Sequence, residues 1–136
     1  MVDPERLRRV LQSVADDLSI LEGYVGQADL VTDQAALDRV KYRFVTSIEG
    51  CIDAAQHICS TEGWGPPDTN AEAPRVLGRH GAIQPDLAET MARAVGFRNI
   101  LVHGYAKVDD AAVVEHLGRL PDLRSYVAAL AALVSE

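Results

Sequence analysis

One uninterrupted stretch of helical periodicity, over residues 33–59, constrains the fold of this chain more than any other feature. The stretch has no proline and no glycine before Gly50, and Thr32-Asp33 supplies a typical N-cap in front of it. It therefore predicts one long helix that must bury a continuous apolar face against other elements. The apolar residues recur every three or four positions, the spacing that lines one face of a helix: Leu37, Val40, Phe44, Ile48, Ile52, Ala55 and Ile58.

Shorter periodic segments predict the helices that cover this face. Residues 61–73, rich in glycine and proline, predict a loop in which Trp64 either packs against the body or offers a stacking surface. No segment has the alternation of a strand, so we predict an all-α fold. It is a compact up-and-down bundle of four main helices plus one or two short ones, in a single domain over residues 1–136. The predicted helices span residues 4–24, 33–59, 74–79, 85 to 102 or 103, 110 to about 118, and 121 onward.

Composition excludes several functional classes. The formal net charge of −7 argues against a nonspecific nucleic-acid coat protein, which is normally basic. The polar N-terminus and the absence of an apolar run of about 18 residues argue against a signal peptide and a membrane span. Cys51 and Cys59 would lie about 12 Å apart on one helix. This is too far for a disulfide, and we expect free thiols in the cytoplasm.

The candidate for a catalytic site is the stretch 96–105, where Arg98, His103 and Tyr105 interrupt an apolar run. Gly104 is well placed for a left-handed helix cap. Five residues turn a helix by about 140°, so one straight helix does not aim Arg98 and His103 at the same point. Two arrangements bring them together. The helix ends near residue 102 and the following residues turn back, or two copies of the chain face each other and share one cleft.

Such a cleft suits RNA cleavage without a metal. An imidazole serves as general base or acid, and a guanidinium binds phosphate oxygens as a fork. Asn99 adds a neutral hydrogen bond, while Glu49 and Asp53, neighbours on the long helix, either form a solvated acidic patch or orient the arginine or histidine. We expect no metal and no cofactor, since the remaining histidines lack metal-ligand spacing and read as surface or structural: His57, His80 and His116.

The segment 98–105 resembles the R-x4-H-x-Y motif of HEPN-domain toxins of the HepT type. Residues 42–58 resemble the long second helix of that family, and the order of loop and helices is similar over most of the chain. The segment 78–81 is where the chain departs from many relatives, which have a Gly-Glu-Ala-like turn.

The resemblance implies a homodimeric, metal-independent endoribonuclease toxin acting on RNA, whether tRNA or mRNA. By position, Arg98 and His103 are catalytic, with Asn99 and Asp53 in support. It also implies a partner, a MntA-type nucleotidyltransferase antitoxin that transfers AMP to Tyr105 and silences the toxin. The alternative is a catalytically silent HEPN module that docks a nucleotidyltransferase and helps to hold its substrate. A third reading is a purely structural dimeric bundle.

Overall fold

The computed structural model describes residues 3–104 and 108–135, and these residues form helices and turns without a strand. Two short 3-10 turns, Leu30–Thr32 and Leu117–Arg119, precede α2 and α6. Four long helices and two short ones match the predicted all-α bundle. They are α1 Pro4–Glu22, α2 Gln34–Thr61, α3 Glu72–Arg79, α4 Pro85–His103, α5 Asp110–His116 and α6 Leu120–Ser135.

Three of the helices begin with an aspartate cap, one of them at Asp33, where the sequence predicts it. The side chain of Asp3 accepts a hydrogen bond from the backbone N–H of Arg6, and Asp33 accepts one from Ala36. Asp109 caps α5 in the same way. Each cap satisfies a backbone donor that the first turn of a helix leaves without a partner.

The long helix α2 lies at the centre, as its periodicity predicts, and α1 runs antiparallel beside it. The two helices approach closely at Gly50, where an added Cβ would lie 2.5 Å from Cγ2 of Val14. Further along, the buried carboxylate of Asp17 accepts hydrogen bonds from Arg43 at 2.9 Å and from the Thr46 hydroxyl at 2.7 Å. A buried charge with two such partners holds the register between α1 and α2, since breaking it would leave a charge unpaired.

The opposite face of α2 packs against α4, and one side chain of α6 reaches the backbone of α2. The ring of Phe44 meets the ring of Phe97 edge to face at 5.3 Å, and the hydroxyl of Tyr126 donates to the carbonyl of Cys51 at 3.0 Å. Cys51 and Cys59 are buried free thiols, as predicted. Burial raises the pKa of Cys51 to about 12, so its thiol stays protonated.

The loop between α2 and α3 contains Trp64, the residue for which the sequence left two roles open. Trp64 stacks on His80 at 4.2 Å and so packs the loop against the end of α3.

The prediction of a left-handed cap at Gly104, after the end of α4, is wrong, because φ there is −79°. Glycine is required for another reason: an added Cβ would lie 2.5 Å from the carbonyl oxygen of Ile100. Within the described ranges, no helix is long and apolar enough to cross a membrane.

Candidate functional site

Arg98 is the most firmly held group of the motif. Its Nε and Nη2 atoms donate to one oxygen of Glu49, at 3.2 and 2.7 Å, and its Nη1 donates to the side-chain oxygen of Asn99 at 2.9 Å. The side chain is only 18% exposed. A guanidinium has five N–H donors, so these contacts use three and leave one N–H on each terminal nitrogen without a partner in the described ranges.

Packing of the preceding residue explains why Arg98 meets α2 at this point. Phe97 is buried against Phe44 of α2. The next side chain along a helix is turned by about 100°, and it therefore reaches the flank of α2 instead of its buried face. Glu49 emerges on that flank, and the partly buried contact with it fixes the direction in which Arg98 points.

Glu49 and Asp53, equivalent in the sequence, have different partners in the structure. Glu49 contacts Arg98, whereas Asp53 contacts the guanidinium of Arg6 at 3.4 Å. The expected support of Arg98 by Asp53 is thus not found in the described part of the chain. Asp53 lies one turn further along α2, beside the first turn of α1, where Arg6 is nearer than α4. Sequence reasoning missed Arg6, which carries no signal beyond being a basic residue in a first turn.

His103 is the last residue of α4 and is exposed. Because α4 stays helical up to His103, the rotation of about 140° and the rise of about 7.5 Å between it and Arg98 apply. α4 thus ends one residue beyond 102, within the predicted bounds, but His103 itself is still helical and does not turn back toward Arg98. A single chain presents Arg98 on the flank of α2 and His103 at the helix end, in different directions.

The surface around the motif carries exposed apolar side chains. Ile100 is 57% exposed and Tyr42 is 61% exposed. Tyr42 precedes Glu49 by seven residues, two helical turns, so both lie on the same face of α2. Tyr105, the expected modification site, falls outside the described residues.

The remaining histidines lie apart from the motif. His57 accepts a hydrogen bond from the backbone N–H of Asp3 at 3.2 Å. His116 stacks on Phe97 at 3.6 Å, and burial lowers its pKa. Over residues 3–104 and 108–135, no group of three or more His, Cys, Asp or Glu side chains is arranged to hold a metal ion.

Comparison with known proteins identifies relatives of the whole fold. A family model described as "Ribonuclease HepT-like" matches residues 2–130. The "mRNA nuclease HepT" of Shewanella oneidensis is 30% identical over 82 residues, 58% of this chain and 60% of that protein. The "tRNA nuclease HepT" of Aphanizomenon flos-aquae is 39% identical over 61 residues, 45% of this chain and 42% of that protein. The matches thus span less than two thirds of either relative.

A solved structure shares the same architecture. The tri-AMPylated HEPN toxin of Shewanella oneidensis, in complex with MNT antitoxin, superposes with a TM-score of 0.87. The match covers 97% of this chain and 99% of that chain at 23% identity. The shared fold agrees with the all-α bundle expected from the sequence.

Proposed function

Because the chain belongs to the family of HepT-like ribonucleases, as its R-x4-H-x-Y motif predicts, we propose that it is a metal-independent RNA endonuclease toxin. We place the whole activity in one HEPN domain over residues 1–136, acting in the cytoplasm. The two curated relatives are named as nucleases of mRNA and of tRNA, so either class of RNA is a candidate substrate.

The observation that carries the proposal is that Arg98 is held in a fixed position and still has unused N–H donors. Three hydrogen bonds to Glu49 and Asn99 already hold this guanidinium in place. It therefore loses little further conformational entropy when it binds a ligand. Its two remaining N–H groups are suited to the oxygens of a phosphodiester.

The chemistry assigned to the motif is transfer of the phosphoryl group to the neighbouring ribose oxygen. A general base removes the proton of the 2′-hydroxyl, and the 2′-oxygen forms a bond to phosphorus. The bond to the 5′-oxygen breaks, and a general acid protonates that oxygen, which leaves a 2′,3′-cyclic phosphate and a 5′-hydroxyl. His103 acts as base or acid, and Arg98 stabilises the charge that develops on the phosphate.

The site is assigned to a homodimer. Arg98 and His103 of one chain point in different directions, so a second copy is needed to bring a histidine and an arginine to one phosphate. The exposed Ile100, two residues from Arg98, suits an interface, since such a side chain gains most when a partner covers it. Each copy would then contribute half of the cleft.

The assigned regulator is a nucleotidyltransferase antitoxin. The structurally similar toxin is tri-AMPylated and bound to MNT antitoxin. In this chain the Tyr105 hydroxyl would attack the α-phosphorus of ATP, forming a phosphodiester to AMP and releasing pyrophosphate. An AMP group two residues from His103 would place bulk and negative charge where the RNA phosphate binds.

The test compares purified wild type with Arg98→Ala and His103→Ala on labelled RNA, with and without EDTA. Wild type is expected to produce cyclic-phosphate ends in EDTA, and each variant is expected to lose about 10²–10⁴-fold in rate while keeping its melting temperature. Arg93→Ala, an exposed arginine on the same helix, is the matched control and is expected to stay active. A dimeric wild type that cleaves no RNA would overturn the enzyme and favour the docking module.

Regulation is tested separately by the intact mass of the chain after co-expression with the neighbouring nucleotidyltransferase. A mass increase by one or more AMP groups is expected for wild type and is expected to disappear in Tyr105→Phe. An unchanged wild-type mass with full toxicity would contradict the assigned partner.

A further inference from the structure

We propose that Arg6 is a second phosphate-binding residue, and that the RNA strand runs along α2 from Arg98 toward the start of α1. The inference rests on the proposed function and extends it from one phosphate to two. Its basis is a pair of similar contacts: α4 brings Arg98 to Glu49, and α1 brings Arg6 to Asp53.

The spacing of these contacts matches a nucleic-acid backbone. Glu49 and Asp53 are four residues apart, which is about 6 Å along the helix axis and a turn of only about 40°. Their two guanidinium partners are therefore set side by side along one face of α2. The rise of about 6 Å between Glu49 and Asp53 along α2 is close to the distance between neighbouring phosphates of an extended strand. A cationic groove that follows the backbone is the usual means of binding single strands.

Arg6 is free to exchange its present partner for a phosphate. Its side chain is 53% exposed and that of Asp53 is 48% exposed, with a single contact at 3.4 Å. An exposed ion pair of this kind contributes little to stability. A guanidinium with further N–H donors facing solvent can therefore turn toward an incoming phosphodiester without cost to the fold.

Arg8, on the same helix, does not share this position. Arg8 lines a cleft between α1 and α6, together with Val127 and Ala131, on the side of α1 away from Asp53. The chain as a whole carries a charge of −7, so a strand is drawn to a local row of cations and not to the whole surface. Arg6 and Arg98 form such a row beside the α2 face.

The test measures RNA binding in a His103→Ala background, so that the RNA is not cleaved during the measurement. Arg6→Gln is expected to weaken binding of a single-stranded oligonucleotide several-fold and to lower the slope of log K against log salt by about 0.7, the loss of one phosphate contact. Arg8→Gln removes the same charge from the same helix and is expected to change neither slope nor melting temperature. Equal effects of the two substitutions would overturn the proposal while leaving the nuclease assignment intact.

A chemically modified strand makes the test specific to one phosphate. A neutral methylphosphonate is placed at each position next to the cleavage site in turn. At one of these positions, wild-type binding is expected to weaken, and Arg6→Gln is expected to cause no further loss, because both changes remove the same contact. Strictly additive losses at every position would show that Arg6 touches no neighbouring phosphate.

Discussion

Phe97 and Arg98 are consecutive residues on α4 with opposite surroundings. Phe97 is closed in by rings, with His116 stacked at 3.6 Å and Phe44 edge to face at 5.3 Å. Arg98 has polar neighbours, one carboxylate and one amide, and part of its guanidinium remains exposed to solvent. The contrast indicates that the aromatic side fixes the backbone, while the ionic side leaves two N–H donors of Arg98 without a partner in the described ranges. The two sides are expected to fail in different ways when they are mutated.

The largest expected effect is on the aromatic side. Phe97→Ala removes a buried ring from between two others and is expected to lower the free energy of unfolding by about 3–5 kcal/mol, measured by urea denaturation. Arg93→Ala, four residues earlier on the same helix, is the control and is expected to cost less than about 0.5 kcal/mol because Arg93 is exposed. Similar losses in both variants would mean that the aromatic side is not the stabilising one.

A smaller effect, on activity alone, is expected on the ionic side. Glu49→Ala leaves Arg98 with Asn99 as its one partner among the described residues, and the guanidinium is no longer held in one direction. We expect kcat/KM for RNA cleavage to fall roughly tenfold, about 1.4 kcal/mol of transition-state stabilisation. The melting temperature is expected to change little, because Glu49 is 43% exposed and Arg98 keeps its hydrogen bond to Asn99.

Asp53→Ala is the matched control for that substitution. It removes the same charge one turn further along α2 without touching Arg98. If loss of a negative charge were all that mattered, both variants would bind RNA more tightly and neither would lose activity. A fall confined to Glu49→Ala would assign the effect to the position of Arg98.

The sequence predicted the aromatic side only in part. The spacing of Phe44 and its neighbours every three or four residues was enough to place them in the core of α2, and aspartates marked the helix starts. His116 was classed only as surface or structural. Its stack on Phe97 depends on where the short α5 docks after residues 105–109, and no periodicity within α5 sets that distance.

On the ionic side, the motif predicted a site at Arg98 and His103 but not the partners of these side chains. Glu49 and Asp53 are both polar, both on one face and one turn apart. Only the crossing of α4 over α2 decides which of them meets Arg98. The sequence was also insufficient at Gly104. Glycine at a helix end suggests a left-handed residue, whereas here its missing Cβ avoids a close contact with the Ile100 carbonyl. For Glu49 and Asp53, tertiary packing decided between alternatives that the sequence left open, whereas for Gly104 the contact lies within the last turn of α4.

The smallest expected effect concerns pH and returns to the aromatic side. Burial, and next the nearby charge of Arg119, lower the pKa of His116 below its ordinary value of 6.5. The unfolded chain therefore binds the proton more readily than the folded one. The stability that the neutral ring provides is fully present above pH 6.5 and is lost as the pH falls through the folded pKa. One such proton accounts for at most about 1.4 kcal/mol per pH unit.

His116→Phe keeps an aromatic ring against Phe97 and removes the titration. Denaturation at pH 7 and pH 5 is expected to show a loss of stability in wild type and a smaller loss in the variant. The comparison stops at pH 5 because Glu22 and Glu89, whose pKa values Arg124 and Arg75 hold below 4.5, lose their contribution only in more acidic solution. Equal losses in wild type and His116→Phe would place the pH dependence elsewhere, and the aromatic side would then be a purely apolar support for Arg98.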